Sequence, residues 1–311
     1  MARHTFTREQ MDMYFDRICM PQSKRVYDVI NVRPSYLFKK IVHHEGVGGY
    51  CIEVNYLFHL ILYNLGFSVY MAGSRIFHPD TKTYGGWTHV VNIVTIGTSK
   101  CLLDGGMGPN GPHCAMPLQD GEVIAQISPA QMRLDYESIG QHLDKSQKMW
   151  VFRHRYDQDL EMVPVYCFTD QEFTPEDVES MNFEPMLNPQ TIFAHKILCV
   201  RFTTDRETNE GNGPGSASEE SLEGEIHGSL SLNHDILKWR RHGKKETEIT
   251  LKSEESRLEI LKKYFGITFL ADDTEPIHGT AAHIELGPAQ GAPAFQAPAL
   301  CAAIKPTRCD G

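Results

Sequence analysis

The apolar positions recur with two different periods along the chain. In residues 1–66 they return every three to four positions. The stretch "TFTREQMDMYFDRI" (residues 5–18) puts Met11, Tyr14, Phe15 and Ile18 on one stripe. Thr7 and Gln10 have capping-box spacing at its start, and Pro21 stops it. "RPSYLFKKIVHHE" (residues 33–45) reads as a second helix, with Pro34 tolerated in its first turn. Gly46, Gly48 and Gly49 interrupt the period, and a third helix begins near Cys51. There Ile52, Leu57 and Ile61 lie near one face, with Val54, Phe58, Leu62 and Leu65 on or beside it. So continuous an apolar surface predicts a helix buried on most sides, and Gly66 is its expected C′ residue. Residues 1–70 therefore read as a small helical bundle.

Beyond residue 66 the period changes. "FSVYMAGSRIF", "THVVNIVTI", "KCLLDGG", "VPVYCF" and "HKILCVRF" are β-branched or aromatic runs bounded by Gly, Pro and Asp. They predict mainly antiparallel strands over residues 67–203, curled into a sheet or barrel. "DRETNEGNGPGSASEESLEGE" (residues 205–225) is acidic and rich in Gly and Ser, the composition of a surface loop or disordered insert. "IHGSLSLNHDILKWRRHGKKETEITL" reads as strands around a turn at residues 242–245. "SEESRLEILKKYFGI" reads as a helix capped by Ser253. From His278 the chain is rich in Ala, Pro and Gly and is expected to be an irregular tail.

Composition narrows the function classes. A chain of 311 residues is too long for one simple core. Its net charge of −10 argues against nucleic acid and anionic membrane as partners. No apolar run approaches the ~20 residues of a bilayer span, and the first residues lack the apolar core of a signal peptide. A cytoplasmic protein is expected. The eight cysteines are scattered, with no CxxC pair and no metal-ligand spacing, so neither a metal site nor a redox motif is predicted. They are expected to be reduced, and most of them to be small buried hydrophobes.

Cys51 stands apart. It sits at the mouth of a helix behind a Gly-Gly-aromatic hinge, where free N–H groups and the helix dipole stabilise a thiolate relative to the ordinary thiol value of about 8.5. "GGWTHVVNIVTI" then places His89 in a strand after Gly85 and Gly86, and "CLLDGGMGPNG" ends an apolar run in Asp104. His89 and Asp104 are 15 residues apart, which allows neighbouring antiparallel strands joined by a turn around residues 97–100. Cysteine, strand histidine and strand-end aspartate suit nucleophile, base and orienter.

In order, "GGYCIEVN", "THVVNIV", "LLDGGMG" and "NPQTIF" resemble the arylamine N-acetyltransferases, filamentous-fungal members most closely. The resemblance covers roughly residues 5–270. It implies an α+β fold in three parts around a core related to cysteine proteases and transglutaminases. These are a helical bundle (residues 1–70), a β-barrel (71–190) and an α/β lid (191–272) that carries the 205–225 loop. A tail (273–311) follows. It also implies a ping-pong reaction in which acyl-coenzyme A acylates Cys51 and an aromatic amine or hydrazine takes the acyl group, with no permanently bound cofactor. By the same resemblance Cys51 is the nucleophile, His89 the base and Asp104 its orienter. Glu53 and Asn55 form the polar pair after the nucleophile. Gly85 and Gly86 lie along coenzyme A, Gly106 lies beside the acyl group, and Gln190 and Thr191 belong to the turn that meets the coenzyme's phosphates.

Some positions depart from the family's pattern. Val47 stands where an arginine is usual, so an ion pair near the nucleophile is missing or supplied elsewhere, with His43 and His44 as candidates. Met107 bears on acceptor selectivity, and Asn188 replaces a usual serine. The basic run "KWRRHGKK" (residues 238–245) is read as a hairpin turn rather than a phosphate site. Trp87 is read as barrel or cleft wall. Two rival functions use the same residues: a thiol hydrolase or transglutaminase-like enzyme, and a ligand-binding family member without turnover. The acyl group, acetyl or else malonyl or propionyl, and the amine are left open.

Overall fold

The computed structural model describes residues 31–43, 48–209, 213–214, 224–269 and 277–284. The helix read at residues 5–18 lies outside them, as do His44 and Val47. Helix α1, Pro34–Phe38, starts with Pro34 in its first turn and runs into a wider π-helical turn, Lys39–His43. Helix α2, Cys51–Asn64, starts one residue after Tyr50. It ends as its sequence predicts: Gly66 takes φ +88°, its N–H bonds the Tyr63 carbonyl, and the Phe67 N–H bonds the Leu62 carbonyl. These are the two bonds of a Schellman motif.

The expectation that α2 is buried on most sides holds only for its first part. Ile52, Glu53, Asn55, Tyr56, Leu57 and Leu62 are buried, but Ile61, Tyr63 and Leu65 are exposed. The buried face packs with Leu37, Met71 and Val90, and the last turn carries its apolar side chains beyond that cluster.

Among the described residues, nine strands form one antiparallel sheet, curled into a nearly closed barrel. They are β1 (Val69–His78), β2 (Thr83–Tyr84), β3 (His89–Ile96), β4 (Ser99–Leu103), β5 (Met116–Pro117), β6 (Val123–Ala125), β7 (Gln131–Glu137), β8 (Met149–Arg155) and β9 (Val163–Phe168). The order is β5-β4-β3-β1-β9-β8-β7-β6, with β2 added to the end of β1. Strand β3 is buried from His89 to Val94 on both faces. Val91 and Ile93 enter the barrel core beside Ala72 and Leu102, while Val90 faces the cluster under α2. A strand covered on both sides has no polar face, which explains its nearly unbroken apolar run.

Residues 67–203 are mainly antiparallel strand, as read, but two helices that the sequence reading did not name interrupt them. Helix α3, Pro175–Leu187, and the short helix α4, Ile192–His195, follow β9. The start of α3 was marked locally: Thr174 caps it, Pro175 takes the first position, and Asp177 returns a bond to the Thr174 N–H. Pro185 inside the helix disguised its length. Strand β10, Leu198–Thr204, then pairs away from the barrel, in a second antiparallel sheet. Its partners are β13 (Ile226–Asn233), β14 (Ile236–Arg241) and β15 (Lys244–Thr250), in the order β10-β13-β14-β15. Between them lies the two-residue ladder of β11, Thr208–Asn209, and β12, Gly213–Pro214.

Helix α5, Glu254–Phe265, is capped by Ser253 as expected. It covers the second sheet with Leu261 and Tyr264 against Leu230, Leu232 and Trp239. The run at residues 238–245 is a hairpin, as read. Part of the expected irregular tail is held in place: buried Arg257 donates to the Ala282 carbonyl (2.8 Å), and Glu254 accepts from the Ile284 N–H (3.3 Å).

Candidate active site

Cys51 is the first residue of α2, and its side chain is half-buried. The helix start is stabilised from within: Glu53, at the third position, accepts the Tyr50 N–H at 3.1 Å. The Cys51 thiol lies 3.7 Å from the Thr88 carbonyl, one residue before His89. From the other side the Asp104 turn presses close. A Cβ built on Gly106 would stand 2.8 Å from the Cys51 Cα and carbonyl oxygen. Only glycine lets the two backbones approach this far.

His89 opens β3, and Asp104 follows the last residue of β4. The register pairs Asn92 with Leu103 across the turn at residues 97–98, so the two side chains meet as the spacing allowed. His89 Nε2 and Asp104 Oδ2 are 2.8 Å apart, with both side chains fully buried. The other carboxylate oxygen accepts from Asn55 Nδ2 (2.8 Å), the Gly106 N–H (2.8 Å) and the Met107 N–H (3.2 Å). Burial alone would raise the Asp104 pKa, but the His89 charge and the bonds from His89, Asn55 and Gly106 outweigh it and hold the carboxyl below its usual range. Burial alone would lower the His89 pKa, but the Asp104 charge and bond, then Cys51, outweigh it and raise the imidazole to about 10. His89 Nδ1 is buried and has no hydrogen-bond partner among the described residues. One ring nitrogen is thus committed to Asp104, and the other is free to exchange a proton with the thiol.

Asn55 is the joint of this arrangement. It is fully buried, donates to the Val90 carbonyl (2.7 Å) as well as to Asp104, and accepts the Gly105 N–H (2.9 Å). It therefore ties α2, β3 and the Asp104 turn together. Gly85 and Gly86 sit in the turn before β3. The Gly85 N–H bonds the Ile76 carbonyl (2.9 Å), its own carbonyl accepts Arg75 Nη1 (3.0 Å), and Gly86 has open space above its Cα. Arg75 also stacks on Trp87 at 3.9 Å, and both line a cleft of about 410 Å³ with Phe173, as the reading of Trp87 as cleft wall anticipated. Gln190 and Thr191 precede α4, where Gln190 is exposed and Thr191 donates to the Pro185 carbonyl (3.3 Å). Phe193 packs edge-on against Tyr50 at 5.5 Å, which brings this segment to the mouth of α2.

Two neighbours escaped the sequence reading. Lys40 reaches both Glu53 oxygens, at 2.7 and 2.8 Å. The cation expected near the nucleophile is thus present in Lys40; His43 packs edge-on against Phe38 (5.2 Å), and His44 lies outside the described residues. Tyr166 from β9 lies fully buried against the His89 ring (5.3 Å) and is stacked on Phe152 (4.9 Å). Burial, then the Asp104 charge, keeps its hydroxyl neutral. Neither carried a motif; Lys40 was one of two adjacent lysines, and Tyr166 one apolar-run aromatic among several. Burial raises the thiols of Cys101, Cys167 (to about 12) and Cys199 (to about 11), consistent with the structural role expected of them.

Comparison with known proteins gives the family of the chain. A family model described as N-acetyltransferase matches residues 22–209. The chain is 28% identical over 264 residues to "N-malonyltransferase FDB2" of Gibberella moniliformis, covering 79% of this chain and 72% of that protein. It is 28% identical over 260 residues to "Arylamine N-acetyltransferase 2" of Mus musculus, covering 78% and 79%. Among solved structures, the arylamine N-acetyltransferase of Mycobacterium abscessus superposes with a TM-score of 0.64 at 20% identity, covering 79% of this chain and 77% of its own. That of Salmonella typhimurium gives 0.63 at 20% identity, covering 80% and 81%. The sequence match and the shared barrel-and-helix fold lead to one conclusion: this chain is an acyltransferase that belongs to the arylamine N-acetyltransferase family.

Proposed function

We propose that the protein carries an acyl group from coenzyme A to an aromatic amine or hydrazine through a thioester on Cys51. Near neutral pH the raised imidazole already holds the Cys51 proton on Nδ1, as an imidazolium beside the thiolate, and the thiolate attacks the acyl carbonyl. Coenzyme A leaves as its thiol, protonated by His89. The amine then attacks the Cys51 thioester, gives its proton to His89 and frees the cysteine. Asp104 keeps the Nε2 proton in place and stabilises the imidazolium throughout. The single observation that carries this reading is the buried His89–Asp104 pair with an unpartnered Nδ1, beside a thiol at a helix start. The Gly85–Gly86 turn and the Gln190–Thr191 turn are the proposed coenzyme contacts, and Gly106 is proposed to flank the acyl group. The names of the relatives divide between malonyl and acetyl transfer, and both groups fit the chemistry of Cys51.

Mixing the protein with acetyl-, propionyl- or malonyl-coenzyme A without amine tests this. The donor releases about one coenzyme A per active site, and the peptide containing Cys51 gains one acyl mass. Adding an arylamine discharges it, and initial-rate plots are parallel. Intersecting plots with no acyl mass on that peptide would refute the covalent route. Rapid loss of the acyl group to water, or acylation by a glutaminyl peptide instead, would favour the hydrolase or transglutaminase reading.

A further inference from the structure

Glu53 poses a problem for a nucleophile two residues away. Its carboxylate is 1% exposed, and a buried carboxylate is costly unless it is paired. A negative charge in the first turn also opposes ionisation of a neighbouring thiol. Yet the carboxylate is needed there, because it satisfies the Tyr50 N–H that opens α2. Lys40 resolves the conflict. Its Nζ lies within 2.8 Å of both carboxylate oxygens, so it balances the charge while Oε2 still holds Tyr50. It comes from the π-helical turn before the glycines, so the pair also ties that turn to the start of α2.

We propose that Lys40 is a positioning residue for Cys51, acting through Glu53 to fix the first turn of α2 and to cancel the charge that would hold the thiol proton in place. Among the described residues, the titratable groups around the thiol are Tyr50 and Glu53 at the start of its own helix, His89 from β3 with Asp104 behind it, and Lys40. Burial, then the charges of Cys51 and Glu53, keeps the Tyr50 phenol neutral. Glu53 is therefore the anion that Lys40 has to balance. An ion pair that merely joined two helices would change thermal stability and leave the thiol's ionisation alone. The proposal rests on Cys51 being the nucleophile.

The test follows iodoacetamide alkylation of Cys51 against pH in the full chain, with kcat/KM alongside. In Lys40→Met the alkylation midpoint rises by about one pH unit, and kcat/KM near neutral pH falls about tenfold. Lys40→Arg leaves the alkylation midpoint where it is in the wild type and keeps kcat/KM within about twofold. Adding Glu53→Gln to Lys40→Met brings the midpoint back down, because the amide oxygen still accepts the Tyr50 N–H and leaves no charge to cancel. Should Lys40→Met not fold, Lys40→Gln, which keeps a hydrogen bond but not the charge, shifts the midpoint in the same direction. An unchanged midpoint in the charge-removing variants, whatever their melting temperature, overturns the proposal, as does a double variant no better than the single. A wild-type protein that gains no acyl mass on Cys51 overturns the nucleophile itself, and that is seen before any variant is made.

Discussion

Replacing Asp104 by Asn should stop acylation while leaving the fold nearly intact, and the hydrogen bonds say why. One carboxylate oxygen already accepts three donors, from Asn55 Nδ2 and from the Gly106 and Met107 N–H groups. Two of these are backbone groups that can only donate. In Asp104→Asn the amide oxygen must therefore stay on that side, and its NH₂ must face His89 Nε2. Nε2 then becomes an acceptor, and the ring proton moves to Nδ1, the nitrogen that has to receive the thiol proton. The imidazolium also loses the charge that raises it to about 10. Falling back toward or below the ordinary value forfeits that stabilisation of the imidazolium. The acylation rate should drop by about 10³- to 10⁴-fold, comparable with the ~10⁴ known for the same change in a serine-protease triad. Rapid-quench mass spectrometry of the Cys51 peptide after mixing with acyl-coenzyme A measures the step directly, and circular dichroism checks the fold. A folded Asp104→Asn protein that acylates within about tenfold of wild type would remove Asp104 from the mechanism.

Three further outcomes are expected. Gly106→Ala places a methyl group 2.8 Å from the Cys51 backbone and from Asn55 Nδ2, so it should cost about 1–3 kcal/mol in urea denaturation and slow acylation; an unchanged protein on both counts would mean that the approach is looser than described. The pKa of His89 is raised on folding, so its contribution to stability is whole below about pH 6.5 and is lost as the pH climbs through about 10. The unfolding free energy should fall across that window, and His89→Gln should flatten the slope; equal slopes in both proteins would count against a charged His89–Asp104 pair. Near neutral pH, iodoacetamide should modify Cys51 before exposed Cys114 and well before buried Cys101 or Cys167, and bound acyl should protect Cys51; peptide mapping that found Cys114 first would argue against an activated thiol.

Features set by a few consecutive residues could be read without coordinates. The start of α2 at Cys51, its Schellman stop at Gly66, the β3–β4 hairpin and the Ser253 cap each depend on local dihedral preferences and short hydrogen bonds, and each lies where its residues indicate. The spacing of His89 and Asp104 worked for the same reason, since one tight turn fixes the register between them. Helix α3 was missed, although Thr174, Pro175 and Asp177 mark its start; Pro185 breaks the pattern that would have signalled its length. Other features needed the folded chain. Strand β10 has the same apolar character as the barrel strands, and only its pairing with β13 assigns it to the second sheet. The burial of α2 stops partway because the cluster beneath it ends, which no periodicity records. Lys40 meets Glu53 across a glycine-containing segment, and Tyr166 reaches His89 from β9, through contacts between residues far apart in the chain. A side chain's partner at such range is chosen by packing of the whole core. Local propensity carries no term for it.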